Sequence, residues 1–201
     1  DGPFGLGVDI ILLITALGLL FRTKEDLESP GIKSPLMTAV LIWFAYTVFE
    51  IVNPEARSFE AWFYAARGVS LYFVSTIPLA LILLYKEEDL DKFINIWFGL
   101  SLFATFWGIK QLTLGTDFAE ERWLESGARK THILFGKLRV FSFYSDAGQF
   151  GAAQAHTGVV AGILAMGPTK TKRRKYFYIL TCLLSLYGMA ISGTRGAMFV
   201  A

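Results

Sequence analysis

Two arginines stand where a permanent charge is costly to leave idle. Arg139 opens the stretch Leu138–Gly151, LRVFSFYSDAGQFG, and Arg195 lies in Ile191–Ala197, ISGTRGA. Each sits at the mouth of an apolar run among small and hydroxyl residues, where a charged side chain implies a partner or a function. A guanidinium presents a planar fork of donors matched to phosphate oxygens, so the expected partner is an anionic substrate. Gly148 and Gly151 open the segment after Arg139, and a glycine-rich helix start offers free amides and a positive dipole end to the same anion. Around Arg195 the small residues Ser192, Gly193, Thr194 and Gly196 leave space for a ligand. Arg67, near the start of its own apolar run, is a weaker third candidate.

Plainer readings stand beside these. Arg139 snorkels to lipid headgroups, or Asp146 is its partner, or orients it, or serves as a general base. Arg195 meets a helix C-terminus or an acid such as Glu50, and Arg67 forms an ion pair with Glu50. Asp9, close to the beginning of the chain, is given no role. His132 is read as a surface loop residue and His156 as a packed one, and their isolation offers no metal-ligand spacing. The chain carries no P-loop, dinucleotide fingerprint, Gly-x-Ser-x-Gly or Cys-x-x-Cys. No metal and no cofactor are therefore expected, and the single Cys182 excludes an internal disulfide.

The elements that must position these residues are membrane helices. The 201 residues are 54% hydrophobic and 15% aromatic, with a mean hydropathy of +0.47. Apolar residues come in blocks near the ~20 residues a helix needs to cross a bilayer, and barrel strands would be half as long and alternating. The blocks run from Phe4–Phe21, Pro35–Val52, Ala61–Tyr85, Phe93–Leu114, Gln149–Met166 and Phe177–Ile191, and a seventh begins after Gly196. The expected architecture is thus all-α, a polytopic transmembrane bundle of about six spans plus the start of another, in a single integral membrane domain over 1–201. Asn53-Pro54 should break the chain after the second block, and Pro78 should kink the third. The fifth block, rich in Gly and Ala, suits close helix packing. The first residue is Asp1 and the chain stops within an apolar run at Ala201, so a fragment is expected, and no cleavable signal peptide is recognisable.

Orientation follows from charge. Lys170, Lys172, Arg173, Arg174 and Lys175 crowd the short loop Gly167–Tyr176 without an acid, which marks that loop as cytoplasmic. Alternation then places Arg22–Ser34 and the charged turn Lys86–Lys92 inside. Asn53–Glu60, the long stretch Gly115–Ser145 and the Arg195 turn lie outside. That long stretch mixes charge with Phe, Trp and Leu, so it is expected to be ordered or to hug the membrane. Arg57, Arg67, Arg139 and Arg195 gather on the outer face. The net charge of +2, scattered over short loops, excludes a nucleic-acid surface.

Asn53-Pro54, then Ala66-Arg67-Gly68, then Arg139 to Gly151, then Ser192 to Ala197 together resemble the O-antigen ligase and polymerase family of bacterial inner membranes, from the second block onward. The resemblance implies a metal-independent, lipid-linked glycosyltransferase whose site opens to the periplasm. The donor would be a glycan on undecaprenyl pyrophosphate, and the acceptor another glycan or a lipid A core. It implies pyrophosphate-binding, catalytic roles for Arg139 and Arg195, with Arg67, Gly148, Gly151, Ser192 and Thr194 at the substrate. The family's ligases carry a catalytic histidine in a large later loop that neither His132 nor His156 matches, so these residues alone are expected to be inactive. The rival reading is a transporter or flippase for an anionic lipid-linked solute, which would also line an outward cavity with arginines but would show inverted repeats. A structural or assembly subunit would need no arginine cluster.

Overall fold

The computed structural model describes residues 4–19, 21, 33–55, 58–134, 136–168, 171–194 and 196, and the structural statements below concern these. They are predominantly helical. The first helices are α1 (Phe4–Leu19), α2 (Pro35–Phe49, extended by a 3₁₀ turn to Val52), α3 (Phe59–Ala66) and α4 (Tyr72–Leu83), the last two joined by a π-helical turn at Arg67–Leu71. Next come α5 (Glu87–Thr113), α6 (Phe118–Trp123) and a second π-helical turn at Leu124–Ala128. The short α7 (Arg129–His132) and the strands β1 (Ile133–Leu134) and β2 (Lys137–Leu138) follow, then α8 (Ala147–Met166) and α9 (Lys172–Ile191). The strands form a small antiparallel hairpin in which Ile133 faces Leu138.

Short polar side chains start the helices by taking up amides that have no partner within the helix. Ser34 caps α2 through Met37 N, Ser58 caps α3 through Ala61 N, Asp146 caps α8 and Thr171 caps α9 through Arg174 N. Asp117 and Glu120 form a reciprocal capping box at α6. The break at Asn53-Pro54 is where the sequence places it, with Asn53 Oδ1 accepting from Glu55 N at 3.0 Å.

Three helices, Pro35–Val52, Phe59–Leu83 and Glu87–Thr113, are long and apolar enough to cross a membrane. The other expected crossings fall short of that standard for identifiable reasons. The apolar part of α1 is brief, α8 contains Gln149, Gln154 and His156, and α9 opens on four basic residues. The seventh block lies outside the described residues. Two expected turns are shorter than their charge suggests, helix taking up part of each. Of Lys86–Lys92 only Lys86 stays outside helix, because Glu87, Glu88 and Asp89 favour the positive N-terminal end and start α5 there. Likewise Thr171 caps α9 so early that Lys172–Tyr176 form its first turns. Helix α4 runs on through Pro78. The stretch Gly115–Ser145 is ordered, holding α6, both strands and the turns between them.

The chain divides into two compact units, Asp1–Phe93 and Ile94–Ala201. In the first, α4 packs against α1 and α2, and most apolar side chains point outward. Ile11, Ile14, Ile42 and Phe49 are 65%, 62%, 66% and 76% exposed, a surface suited to lipid and a liability in water. In the second unit, α8 is the central helix. Gly158 meets Leu186 of α9, Gly162 meets Cys182, and Gly188 of α9 meets Thr105 and Gln154. This close approach explains the Gly/Ala content of α8. Phe98, Ala161, Ala165 and Tyr178 fill one end of the unit. Ala104, Val140 and Phe150 form a second cluster, and Leu124, Phe141 and Ala147 a third under the 115–145 stretch. Gln154 crosses this core with both ends bonded, accepting from Ser101 and Thr105 at 3.0 Å each and donating to Ser101 O.

Candidate functional site

The segment Arg139–Asp146 follows β2 and leads into α8. Its conformation is set by a buried glutamine in α5. Gln111, 2% exposed, donates to Ser142 O and accepts from Ser142 N, both at 2.8 Å, and it also accepts from Phe141 N at 3.2 Å. Ser142 adopts a left-handed conformation (φ 55°), costly for a residue with a Cβ. Its hydroxyl donates to Ala104 O at 2.7 Å. The strained turn is thus fixed to α5 on three sides, and Arg139, Val140 and Phe141 are carried with it.

Gln111 is in turn held by Glu120, to which it donates at 2.8 Å. Trp107 Nε1, Lys110 Nζ and the Asp117 amide also donate to that carboxylate, at 2.7, 2.9 and 2.7 Å. Burial pushes the Glu120 carboxyl up, but the Asp117 amide, Gln111, Lys110 and Trp107 together hold it below the usual carboxylate value. Asp117 is also held low, chiefly by the Glu120 amide, against burial, with Lys110 assisting. Gln111 and Glu120 carry no sequence signal, because one amide in an apolar run and one acid in a charged stretch form no motif.

Five of the sequence-selected residues converge at the start of α8 and the end of α9. Arg139 Nη2 donates to Thr194 Oγ1 at 3.0 Å, and Nη1 donates to Thr131 O at 3.4 Å. Thr194 Oγ1 donates to Ala147 O at 3.1 Å, and its amide donates to Ser192 Oγ at 3.3 Å. Ser192, fully buried, donates to Met189 O at 2.7 Å. A Cβ on Gly151 would come within 3.2 Å of both Ser192 Cβ and Thr194 Cβ, so only glycine lets the 192–194 turn lie against α8. A Cβ on Gly148 would press on the Asp146 carboxylate, 2.6 Å away. Arg195 lies outside the described residues, next in sequence to Thr194.

Several expectations change at this point. Asp146 is neither partner nor orienter of Arg139. Its Oδ1 accepts from Gly148 N and Gln149 N at 2.6 and 3.2 Å, so those amides are not free for an anion. Among the described residues Arg139 has no carboxylate partner. Arg67 does not pair with Glu50. Its Nη2 and Nε grip Asp9 at 2.5 and 3.3 Å, and Tyr72 OH donates to the same carboxylate at 3.1 Å. Glu50 instead accepts from Asn53 at 2.9 Å. Arg67 belongs to the first unit and its fork is occupied. His132, expected at the surface, is 3% exposed because Trp123 and Phe141 pack on its ring at 4.9 and 5.2 Å. Its Nδ1 lies 2.9 Å from Ala128 O, while Nε2 is buried without a partner among the described residues. His156, expected to be packed, is exposed and leans on Trp97.

No group of His, Cys, Asp and Glu among the described residues could hold a metal. No family model, curated protein or solved structure matches the chain. The arrangement itself offers a half-buried guanidinium held by neutral oxygens on a rigid turn, a setting suited to binding an anion.

Proposed function

We propose that this chain is the donor-side part of a lipid-linked glycan transferase of the O-antigen ligase or polymerase type, a multi-pass protein of the bacterial inner membrane. Its six expected crossings would place Arg139 and Arg195 at the periplasmic face. There they would bind the pyrophosphate of an undecaprenyl-linked glycan donor. An acceptor hydroxyl, on a glycan or a lipid A core, attacks the anomeric carbon. The bond from that carbon to the pyrophosphate oxygen breaks, and its electron pair leaves on the pyrophosphate. The hydroxyl proton passes to a base beyond this chain. Charge grows on the leaving group as the bond opens, so fixed guanidinium groups there stabilise the transition state more than the ground state.

The observation that carries this reading is the state of Arg139. It is held by Thr194 and the Thr131 carbonyl with no acid beside it among the described residues, so its charge is uncompensated at the turn that leads into Arg195. Gly151, Ser192 and Thr194 serve that position by shaping the turn, and Gly148 by admitting the Asp146 cap. Arg67, neutralised by Asp9, reaches a phosphate only by giving up that pair. The test uses the full-length gene in a deletion strain, with Arg139 and Arg195 replaced singly by lysine and alanine and membrane levels confirmed. Loss of surface polysaccharide with accumulation of the lipid-linked donor outside is the expected result. Normal polysaccharide from all four variants would reduce both arginines to membrane anchors.

A further inference from the structure

Helix α9 begins against two local preferences at once. Lys172, Arg173, Arg174 and Lys175 fill its first turn without an acid, although cations are disfavoured at the positive end of a helix and repel one another at this spacing. The Thr171 cap lets the helix start there but does nothing for the charge. Arg174 is taken up by Tyr178, its Nε donating to the hydroxyl with the guanidinium over the ring. Lys172, Arg173 and Lys175 are exposed, and none of the three forms an ion pair among the described residues. Their charge is left for a partner to balance.

The surface below them defines the partner. Tyr178, Thr181, Ser185 and Gly188 are buried on the side of α9 that packs within the second unit. At 3.6 residues per turn the opposite side presents Lys172, Tyr176, Ile179 and Leu183 in one line, all exposed, with Arg173 and Lys175 flanking its start. From Lys172 to Leu183 is about 16 Å of helix at ~1.5 Å per residue, close to the depth of one leaflet. Charge, aromatic ring and branched apolar side chains thus follow one another in the order in which a phospholipid presents headgroup, interface and acyl chain. An anionic head relieves the crowded cations. A soluble anion or an acidic peptide would meet the charges but leave the apolar line uncovered.

We infer that this face of α9 binds an anionic phospholipid from the leaflet at its basic end, the headgroup held by Lys172, Arg173 and Lys175 and an acyl chain lying along Tyr176, Ile179 and Leu183. The inference rests on α9 lying in a membrane and is independent of any transfer reaction at Arg139.

The test uses the purified full-length protein in neutral detergent, offered equal amounts of dioleoyl phosphatidylglycerol and dioleoyl phosphatidylcholine, with the lipid retained per chain identified by native mass spectrometry. Each basic residue beside an anionic surface contributes roughly fivefold, so a preference for phosphatidylglycerol of about tenfold or more is expected, and Lys172→Gln/Arg173→Gln/Lys175→Gln should bring it near parity. If that variant fails to fold, Lys172→Gln alone takes its place and should lower the preference about fivefold. Removing as many charges elsewhere, in Arg122→Gln/Lys130→Gln/Lys137→Gln, should leave the preference unchanged. Millimolar inorganic phosphate should not displace the lipid. The inference is overturned if wild type shows no preference, if the α9 variant keeps it, or if the Arg122/Lys130/Lys137 variant loses it to the same extent. Displacement by inorganic phosphate would also overturn it, making this a site for any phosphate.

Discussion

Replacing Gln111 by leucine tests how Arg139 is positioned. Leucine has similar bulk but neither donates nor accepts, so the change removes four hydrogen bonds without opening a large cavity. The Glu120 carboxylate retains Trp107, Lys110 and the Asp117 amide and loses little. Ser142 O, Ser142 N and Phe141 N lose the glutamine that satisfies them in a buried setting. Each such orphan costs about 1–3 kcal/mol, and the left-handed Ser142 adds strain of about 1 kcal/mol that the bonds no longer hold in place. The chain escapes most of this by letting residues 139–146 open to water, so the penalty appears as local opening. A penalty of about 3 kcal/mol raises the opening constant roughly a hundredfold. Amide hydrogen exchange at Val140–Tyr144 measures it, with Ala161 and its neighbours in α8 as an internal reference. Glu at the same position should be worse, because it cannot donate to Ser142 O and would face Glu120. If exchange at Val140–Tyr144 in Gln111→Leu stays within a few-fold of wild type, the turn is held by something other than Gln111.

Three further outcomes follow from the same geometry. Asp9→Asn should lower the thermal midpoint by stranding the Arg67 charge, and adding Arg67→Met should recover part of the loss; additive effects in that cycle would show that the two residues do not interact. Glu120 and Asp117 are held below their ordinary values, so their contribution is complete above about pH 5 and fades as pH falls through the lower folded-state values. The difference in midpoint between wild type and Glu120→Gln should accordingly shrink from pH 7 to pH 3, and a constant difference would contradict the assignment. Gly188→Ala should destabilise by about 1–3 kcal/mol, because its Cβ would fall 2.9 Å from Thr105 Oγ1 and 3.2 Å from Gln154, whereas Gly99→Ala, with open space around it, should be neutral or slightly stabilising in the same denaturation assay.

What the sequence made legible is what depends on local pattern. Blocks of apolar residues, the Asn53-Pro54 break and the small-residue turn at 192–194 all act through neighbours in the chain. Arg139 and Thr194 were each marked out by their local setting, but the hydrogen bond between them joins residues 55 apart. Pairings across distant segments were not legible. Asp9 and Arg67 are brought together by the packing of α1 on α4, and nothing local distinguishes Asp9 from a solvated acid. Gln111 carries no signal because its role depends on a backbone turn thirty residues later, which adopts a left-handed conformation at a serine, where glycine would have announced it. The two histidines exchanged places for a similar reason. The polar stretch around His132 folds back over its own aromatic residues, while His156 lies on the outer side of a helix that is otherwise well packed. The charged turns were misplaced because acids at a helix start, and a threonine cap, extend helices into stretches that composition alone reads as loop.

The most direct test of the central claim is transfer by the purified full-length protein, supplied with a lipid-linked glycan donor and an acceptor, comparing wild type with Arg139→Lys. Lysine keeps the charge and loses the fork that Thr194 and the Thr131 carbonyl hold in place. The account predicts a fall in turnover of about a hundredfold or more at an unchanged midpoint of unfolding. Turnover within a few-fold of wild type would contradict it.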